Sequence, residues 1–277
     1  MADARRMRPL MGTYVEVGAR GAVAQAALQA AFDSIATAQA LWSFHDRDSE
    51  LSRLNLAHGQ ALALSASTLR LLRSARAMMR ASDGLFDCTV GGALVRRGAL
   101  PDHGGPPALE RGSAADIEIG PGWARLARPL RLTLDGIAKG YAVDLAVRAL
   151  RRAGAEAGWI NAGGDVRVFG ALVLPMQRRE SDGSMRALGG LREAAMASSR
   201  VGPGMPDDQQ EAAAFPAHIV APPHAVPATG IWTVIARSAW RADALTKVAA
   251  NAAPARRAAL VRALGGALID PAGGAIS

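Results

Sequence analysis

Apolar and polar positions change period along the chain, and the changes mark its elements. Residues 12–19 (GTYVEVGA) alternate well enough to predict a strand. Over residues 22–42, Ala24, Ala27, Leu28, Ala31, Ile35, Ala38 and Trp42 recur at helical spacing and predict a helix. SFHDRDSELSRLN (43–55) follows as a polar loop with a helical turn. Ser67 or Thr68 is placed to cap a second helix, with Leu69, Leu72, Ala75 and Met79 on one face, ending near Gly84. SDGLFDCTVGGALV (82–95) is punctuated by glycine, and residues 98–113, rich in Gly and Pro, predict a loop.

DIEIG and ARLARPLRLTL read as two strands around the turn Gly120–Pro121–Gly122. TLDGIAKGYAVD (133–144) opens a helix to about Ala149, with Ala138, Tyr141, Ala142, Leu145 and Ala149 on one side. GWINAGGDVRVFG (158–170) reads as strand, Gly-Gly turn, strand. Residues 175–217 are rich in Gly, Ser, Pro and charge, and are expected to form an irregular insertion with a short apolar interruption around Ala194–Ala197. AHIVAPP is a short strand, IWTVIA (231–236) a strand, RADALTKVAANAA (241–253) a helix, and GALIDPAGGAIS a hairpin around Asp270–Gly274. Strands and helices mix without strict βαβ alternation. The expected class is therefore α+β, with mixed sheets and packed helices, not a Rossmann fold. The 277 residues suffice for one domain over 1–277, with room for two lobes.

Composition refines this picture. Apolar residues are 50% of the chain but aromatics only 4%, so the core must come mostly from Ala, Leu, Val and Ile. The formal charge of +8 is dominated by scattered arginine. It favours anionic ligands, but no helix-turn-helix, finger or RNA-binding signature accompanies it, so nucleic acid is not expected as a partner. Cys88 is the one cysteine; it can form no internal disulfide and reads as a small buried apolar residue. No apolar run approaches the roughly 18 residues of a transmembrane segment. The first residues lack the apolar core of a signal peptide. A cytoplasmic monomer or homodimer is expected from the sequence as given, and a periplasmic one if the true start lies upstream.

Four stretches carry candidate chemistry. In TLDGIAKGYAVD, Gly136, Lys139 and Gly140 sit at a strand-to-helix turn. Glycine admits close backbone approach, and a helix N-terminus offers free N–H groups and partial positive charge, which together suit a phosphate. The alternative is a surface pair between Asp135 and Lys139, four residues apart on a helix. Gly163-Gly164-Asp165 is the second stretch; Asp165 either caps a plain hairpin turn or contacts a sugar hydroxyl. Third, Asp243 in ADALTK either interacts with a helix dipole or holds a hard cation such as Mg²⁺, with Thr246 on the same face. Fourth, His218 is either a structural histidine or a base near neutral pH.

Taken in order, these stretches resemble the ApbE-type FAD:protein FMN transferase family. MGTYVEV resembles its opening strand, which begins here at Met11. WSFHDRDSELSRLN resembles the mS…pdSEisrlN block through Ser43, Ser49, Glu50, Ser52 and Asn55. SDGLFDCTVGGALV resembles sgGaFDpTvgpLv through Phe86, Asp87, Thr89, Val90 and Gly91. LTLDGIAKGYAVD, WINAGGDVRVFG, AHIVAP and RADALTK match further blocks over most of the chain. The resemblance implies Mg²⁺-dependent cleavage of the FAD pyrophosphate, transfer of FMN to a Ser or Thr hydroxyl of an acceptor flavoprotein, and release of AMP. It implies that Met11, Ser43, Glu50, Asn55, Asp87, Thr89, Gly136, Lys139, Gly140, Gly163, Gly164 and Asp165 surround FAD, between two lobes. It further implies that Gly136, Asp243 and Thr246 hold the metal, and that His218 and Lys139 act in catalysis. An FAD pyrophosphatase giving FMN and AMP, and a non-catalytic FAD-binding protein, are the alternatives.

The chain departs from the family pattern at three positions. Lys247 stands where the family has the threonine four residues after the metal aspartate, either pairing with Asp243 and replacing the metal's charge or leaving Thr246 as ligand. Ala221 stands where an acidic residue is expected after His218, and Asp135 where glycine is frequent.

Overall fold

A computed structural model describes residues 3–202, 219–223 and 227–269. The elements run β1 (Asp3–Leu10), β2 (Thr13–Arg20), α1 (Ala24–Trp42), α2 (Glu50–Asn55), β3 (Leu62–Ala63), α3 (Ala66–Ala81), α4 (Gly91–Arg96), β4 (Ile117–Ile119), β5 (Trp123–Leu126) and α5 (Ala138–Arg152). There follow β6 (Ala157–Ala162), β7 (Asp165–Phe169), β8 (Leu174–Arg179), β9 (Met185–Leu191), β10 (Ala195–Val201), β11 (Gly230–Ala236), α6 (Ala239–Asn251), α7 (Pro254–Ala263) and β12 (Gly266–Ile269). The seven-stranded sheet has the order β1-β2-β6-β7-β10-β11-β12, and its neighbours pair antiparallel. The α+β class expected from the sequence is therefore observed.

Strand alternation sorts side chains to the two faces of this sheet. On β7, Phe169 joins Val15, Val17, Ile160 and Ala197 against α1 and α5, while Val166 and Val168 face the opposite way, toward Met176 and Leu191 of the β8–β9 hairpin. The second core gathers α3, the β4–β5 strands and the extended residues Leu130, Leu132 and Leu134, and it reaches Val248 and Ala249 on α6. Helix α6 thus stands between the two cores, and the candidate site lies at its flank.

Several expectations change. The helix predicted after Ser67 or Thr68 starts at Ala66 instead, because the Ser65 hydroxyl accepts from Thr68 N at 3.2 Å. Thr68 is buried and accepts from Trp42 Nε1 at 2.9 Å. The strand expected through residue 134 ends at Leu126, beyond which only Arg131 bridges, to Val90. On α5 the fully buried positions are Ala142, Val143, Ala146 and Leu150, not Leu145 and Ala149. The stretch expected to be irregular carries three strands between Leu174 and Val201. Ile219–Pro222 has no strand, and the hairpin expected at Asp270–Gly274 lies outside the described residues. Among the described residues, no helix is long and apolar enough to cross a membrane.

Candidate active site

Helices α5 and α6 approach so closely that a Cβ on Gly140 would meet the Ala239 carbonyl oxygen at 2.4 Å. Gly140 is thus required by helix packing, a cause the sequence did not reveal. The approach lets each helix cap the other. The N-terminus of α5 has no cap from its own flanking side chain; Gly140 N donates to Asp243 Oδ2 on α6 at 3.3 Å. In return, Asp144 of α5 accepts from Ala239 N at 3.1 Å and from Trp240 N at 3.0 Å. Each carboxylate meets free N–H groups and the positive end of a helix dipole. Arg167 on β7 adds a bond to Asp144 at 2.5 Å, tying both helices to the sheet.

The cluster beside this contact contains two lysines and two aspartates. Lys139, in the first turn of α5, lies 3.6 Å from Asp165 Oδ2 at the start of β7. It does not pair with Asp135, because Asp135 precedes the helix and instead accepts from the Thr133 hydroxyl at 3.0 Å. Lys247 Nζ pairs with Asp243 Oδ1 and donates to Ser199 Oγ at 3.1 Å. Asp165 is 3% exposed, and its Oδ2 has no hydrogen-bond partner. Burial first, and then the charge of Asp243, push the Asp165 carboxyl up to about 7, while Lys139 and Lys247 oppose the rise. The charge of Asp165 raises the Lys139 ammonium, which burial opposes.

Gly163 and Gly164 form the β6–β7 turn with φ of 59° and 96°, the left-handed region where glycine is least strained. Gly164 N donates to Asn161 Oδ1 at 2.9 Å, so Asn161 caps the turn and leaves the Asp165 carboxylate free to face Lys139. Gly136 lies against Lys247: a Cβ there would stand 3.4 Å from Lys247 Cε. A cleft opens beside them, lined among others by Phe86, Asp87, Thr133, Gly136, Lys247 and Asn251. Ile219 and Val220, which follow His218 in sequence, line it too, while His218 itself lies outside the described residues.

Other expected site residues organise loops. Asp87 Oδ1 accepts from Thr89 N and its hydroxyl, and Asp87 Oδ2 pairs with Arg111 Nε at 3.1 Å. The Thr89 hydroxyl accepts from Gly112 N at 2.9 Å. Burial raises the Asp87 carboxyl, against the Thr89 bonds and the Arg111 charge. Asn55 exchanges two bonds with the Leu132 backbone, at 2.9 and 2.7 Å. Glu50 accepts from Ser65 N and Oγ, fixing the start of α3. The Ser43 carbonyl accepts from Ser49 Oγ at 2.7 Å. Met11 adopts φ 53° and packs on both larger cores, and its N–H donates to Gln39 Oε1. Burial pushes the Cys88 thiol up, in keeping with an unreactive core residue. Sequence reasoning missed Ser199, which sits in the stretch expected to be irregular, and Arg111, which also reaches the Ala221 carbonyl at 2.5 Å.

The donor set does not fit the divalent cation that the resemblance implies. Mg²⁺ needs several free oxygens in near-octahedral order. Here one oxygen of Asp243 faces an ammonium and the other a backbone N–H. The Thr246 hydroxyl donates to the Asp243 carbonyl at 2.7 Å and shares a bond with Ser199 Oγ at 2.6 Å. The Lys247 stem lies along Gly136. Among the described residues, no three His, Cys, Asp or Glu side chains gather as a metal site.

The antiparallel sheet and the cluster at the α5–α6 contact can be set beside known proteins. The ApbE family model matches residues 11–269, and the chain belongs to this family. An FAD:protein FMN transferase of Rhodobacter capsulatus is 35% identical over 136 residues, covering 44% of this chain and 26% of that protein. The match thus spans about a quarter of that relative's length. Flavin transferase ApbE from Vibrio cholerae superposes with a TM-score of 0.77 at 20% identity, over 97% of this chain and 96% of that one. The Pseudomonas stutzeri flavinyl transferase ApbE gives 0.76 at 20% identity, covering 97% and 94%. The ApbE protein of Thermotoga maritima gives 0.77 at 21%, covering 96% and 93%.

Proposed function

We propose that this chain is an FAD:protein FMN transferase. One observation carries the proposal beyond family membership: Asp165 Oδ2 is buried and accepts no hydrogen bond, facing the Lys139 ammonium 3.6 Å away at a helix N-terminus. A buried carboxylate oxygen that has an ion pair but no hydrogen bond keeps acceptor capacity that a ligand's donor can fill. A flavin nucleotide brings hydroxyl donors for Asp165 and an anionic diphosphate for Lys139.

In the reaction we propose, a Ser or Thr hydroxyl of an acceptor protein attacks the FMN-side phosphorus of bound FAD. The new bond joins the acceptor oxygen to that phosphorus. The bond to the bridging oxygen breaks, and AMP departs with that oxygen. The hydroxyl proton passes to a base, the role the resemblance gives His218. Lys139 offsets charge on the phosphoryl oxygens, and the turn at Gly163–Gly164 holds Asp165 in place. Positioning and electrostatics supply most of the acceleration in such transfers.

The test incubates the full chain with FAD, in EDTA and in Mg²⁺, with and without a candidate acceptor bearing an exposed threonine. Flavin fluorescence that stays on the denatured acceptor, matched by AMP, supports the transferase. AMP with free FMN points to the pyrophosphatase. Intact FAD retained in every sample points to a binding protein, and no FAD binding at all overturns the reading.

A further inference from the structure

We infer that Lys247 is a built-in cation of this site, so that FAD binding and phosphoryl transfer by this chain proceed without a divalent metal. The inference rests on the FAD reading above and says how that site balances charge.

Five polar contacts support it. Lys247 occupies a position where the resemblance implies a threonine, and its Nζ pairs with Asp243 Oδ1. A second N–H of the same ammonium goes to Ser199 Oγ at 3.1 Å. A lysine ammonium has three N–H donors, so one is left for a ligand. Lys247 lines the cleft beside Gly136 and Asp135. The second oxygen of Asp243 is held by Gly140 N, and the Thr246 hydroxyl is engaged with Ser199 and the Asp243 carbonyl. Every oxygen of Asp243 and Thr246 that would face a metal therefore has a protein partner.

The charge balance follows the same geometry. Lys247 brings one positive charge, fixed covalently to α6, where the resemblance implies a divalent ion, and Lys139 on α5 adds a second beside it. Lys139 stands by Asp165 and Lys247 by Asp243, so the two ammonium groups bracket the contact between α5 and α6. A lysine is a point charge with no coordination geometry to satisfy. It positions an anionic diphosphate without the dehydration that Mg²⁺ resists. A divalent ion could bind Asp243 only by expelling the ammonium from a carboxylate that is 2% exposed.

Two measurements on the full-length chain test this. In the first, Mn²⁺ is titrated and its free EPR signal followed. The wild type should leave the signal unchanged through the micromolar range, and Lys247→Thr should deplete it stoichiometrically. In the second, FAD affinity is measured by flavin fluorescence in EDTA and in Mg²⁺. Wild-type affinity should be the same in both, while Lys247→Thr should bind about tenfold more weakly in EDTA and recover in Mg²⁺. Stoichiometric micromolar Mn²⁺ binding by the wild type overturns the inference, as does wild-type FAD binding that requires Mg²⁺. Both wild-type arms stand if the variant does not fold. Absence of FAD binding in either buffer overturns the functional reading, while the wild-type Mn²⁺ result still decides the role of the lysine.

Discussion

Asp144 on α5 caps α6, and Asp243 on α6 caps α5. The two carboxylates are exchanged across a contact close enough that Gly140 admits no side chain. The aspartate that the resemblance assigns to metal binding is thus also a structural cap.

Replacing Asp243 with alanine removes the α5 cap and strands a half-buried ammonium. Breaking such a pair from one side should lower stability by about 3 kcal/mol. The double variant Asp243→Ala/Lys247→Met should recover part of that loss, since no charge is left unpaired. Urea unfolding of the wild type, both single variants and the double variant checks this; a double variant as unstable as the sum of the singles contradicts it.

Gly140→Ala tests why that glycine is there. If helix packing requires it, the added methyl, 2.4 Å from the Ala239 oxygen, should destabilise the fold by about 1–3 kcal/mol. If glycine served only for approach to phosphate, FAD affinity would fall and stability would hold. Thermal melts beside FAD titrations separate the two.

Lys139→Met should weaken FAD binding and reduce AMP release by about 10²-fold, as when one donor to a developing oxyanion is removed. Because the lysine contributes charge, the salt dependence of FAD binding should flatten in the variant. An unchanged salt slope at reduced affinity would mean that the lysine acts through Asp165 and not on the ligand.

The pH dependence of stability should carry the signature of Asp165. Its carboxyl titrates at about 7 when folded and at about 3.9 when unfolded. Between those values the folded chain binds the extra proton, so this group's contribution is full below about pH 4 and is lost as pH rises toward 7. Asp165→Asn removes that slope. The stability of the wild type relative to this variant should therefore fall from pH 4 to 7 and level off above, as followed by urea midpoints.

Much of this site was legible where local pattern and tertiary need agree. The β6–β7 hairpin announces itself by two glycines between apolar strands, and α6 by its apolar spacing. Strand β9 did not, because its sequence MRALGGL has two glycines and little β-propensity; pairing with β8 makes it a strand. The alternative pairing of Lys139 with Asp135 does not form, because four-residue spacing implies contact only inside a helix, and α5 starts three residues after Asp135. The pairing of Lys247 with Asp243 was foreseen as one of two options, since both lie within α6. Ser199 had no local signal at all: it reaches Lys247 only because β10 runs beneath α6.

The contacts that build the cluster span long stretches of chain: Gly140 to Asp243 bridges 103 residues, and Asn251 to Leu85 bridges 166. Closing such loops carries an entropic cost that the packing of the finished site must offset. A partly folded chain would hold Lys139 and Asp165 on neighbouring elements without Asp243 or Lys247. Flavin capture, on the proposed function, would therefore report that these distant stretches of chain have come together.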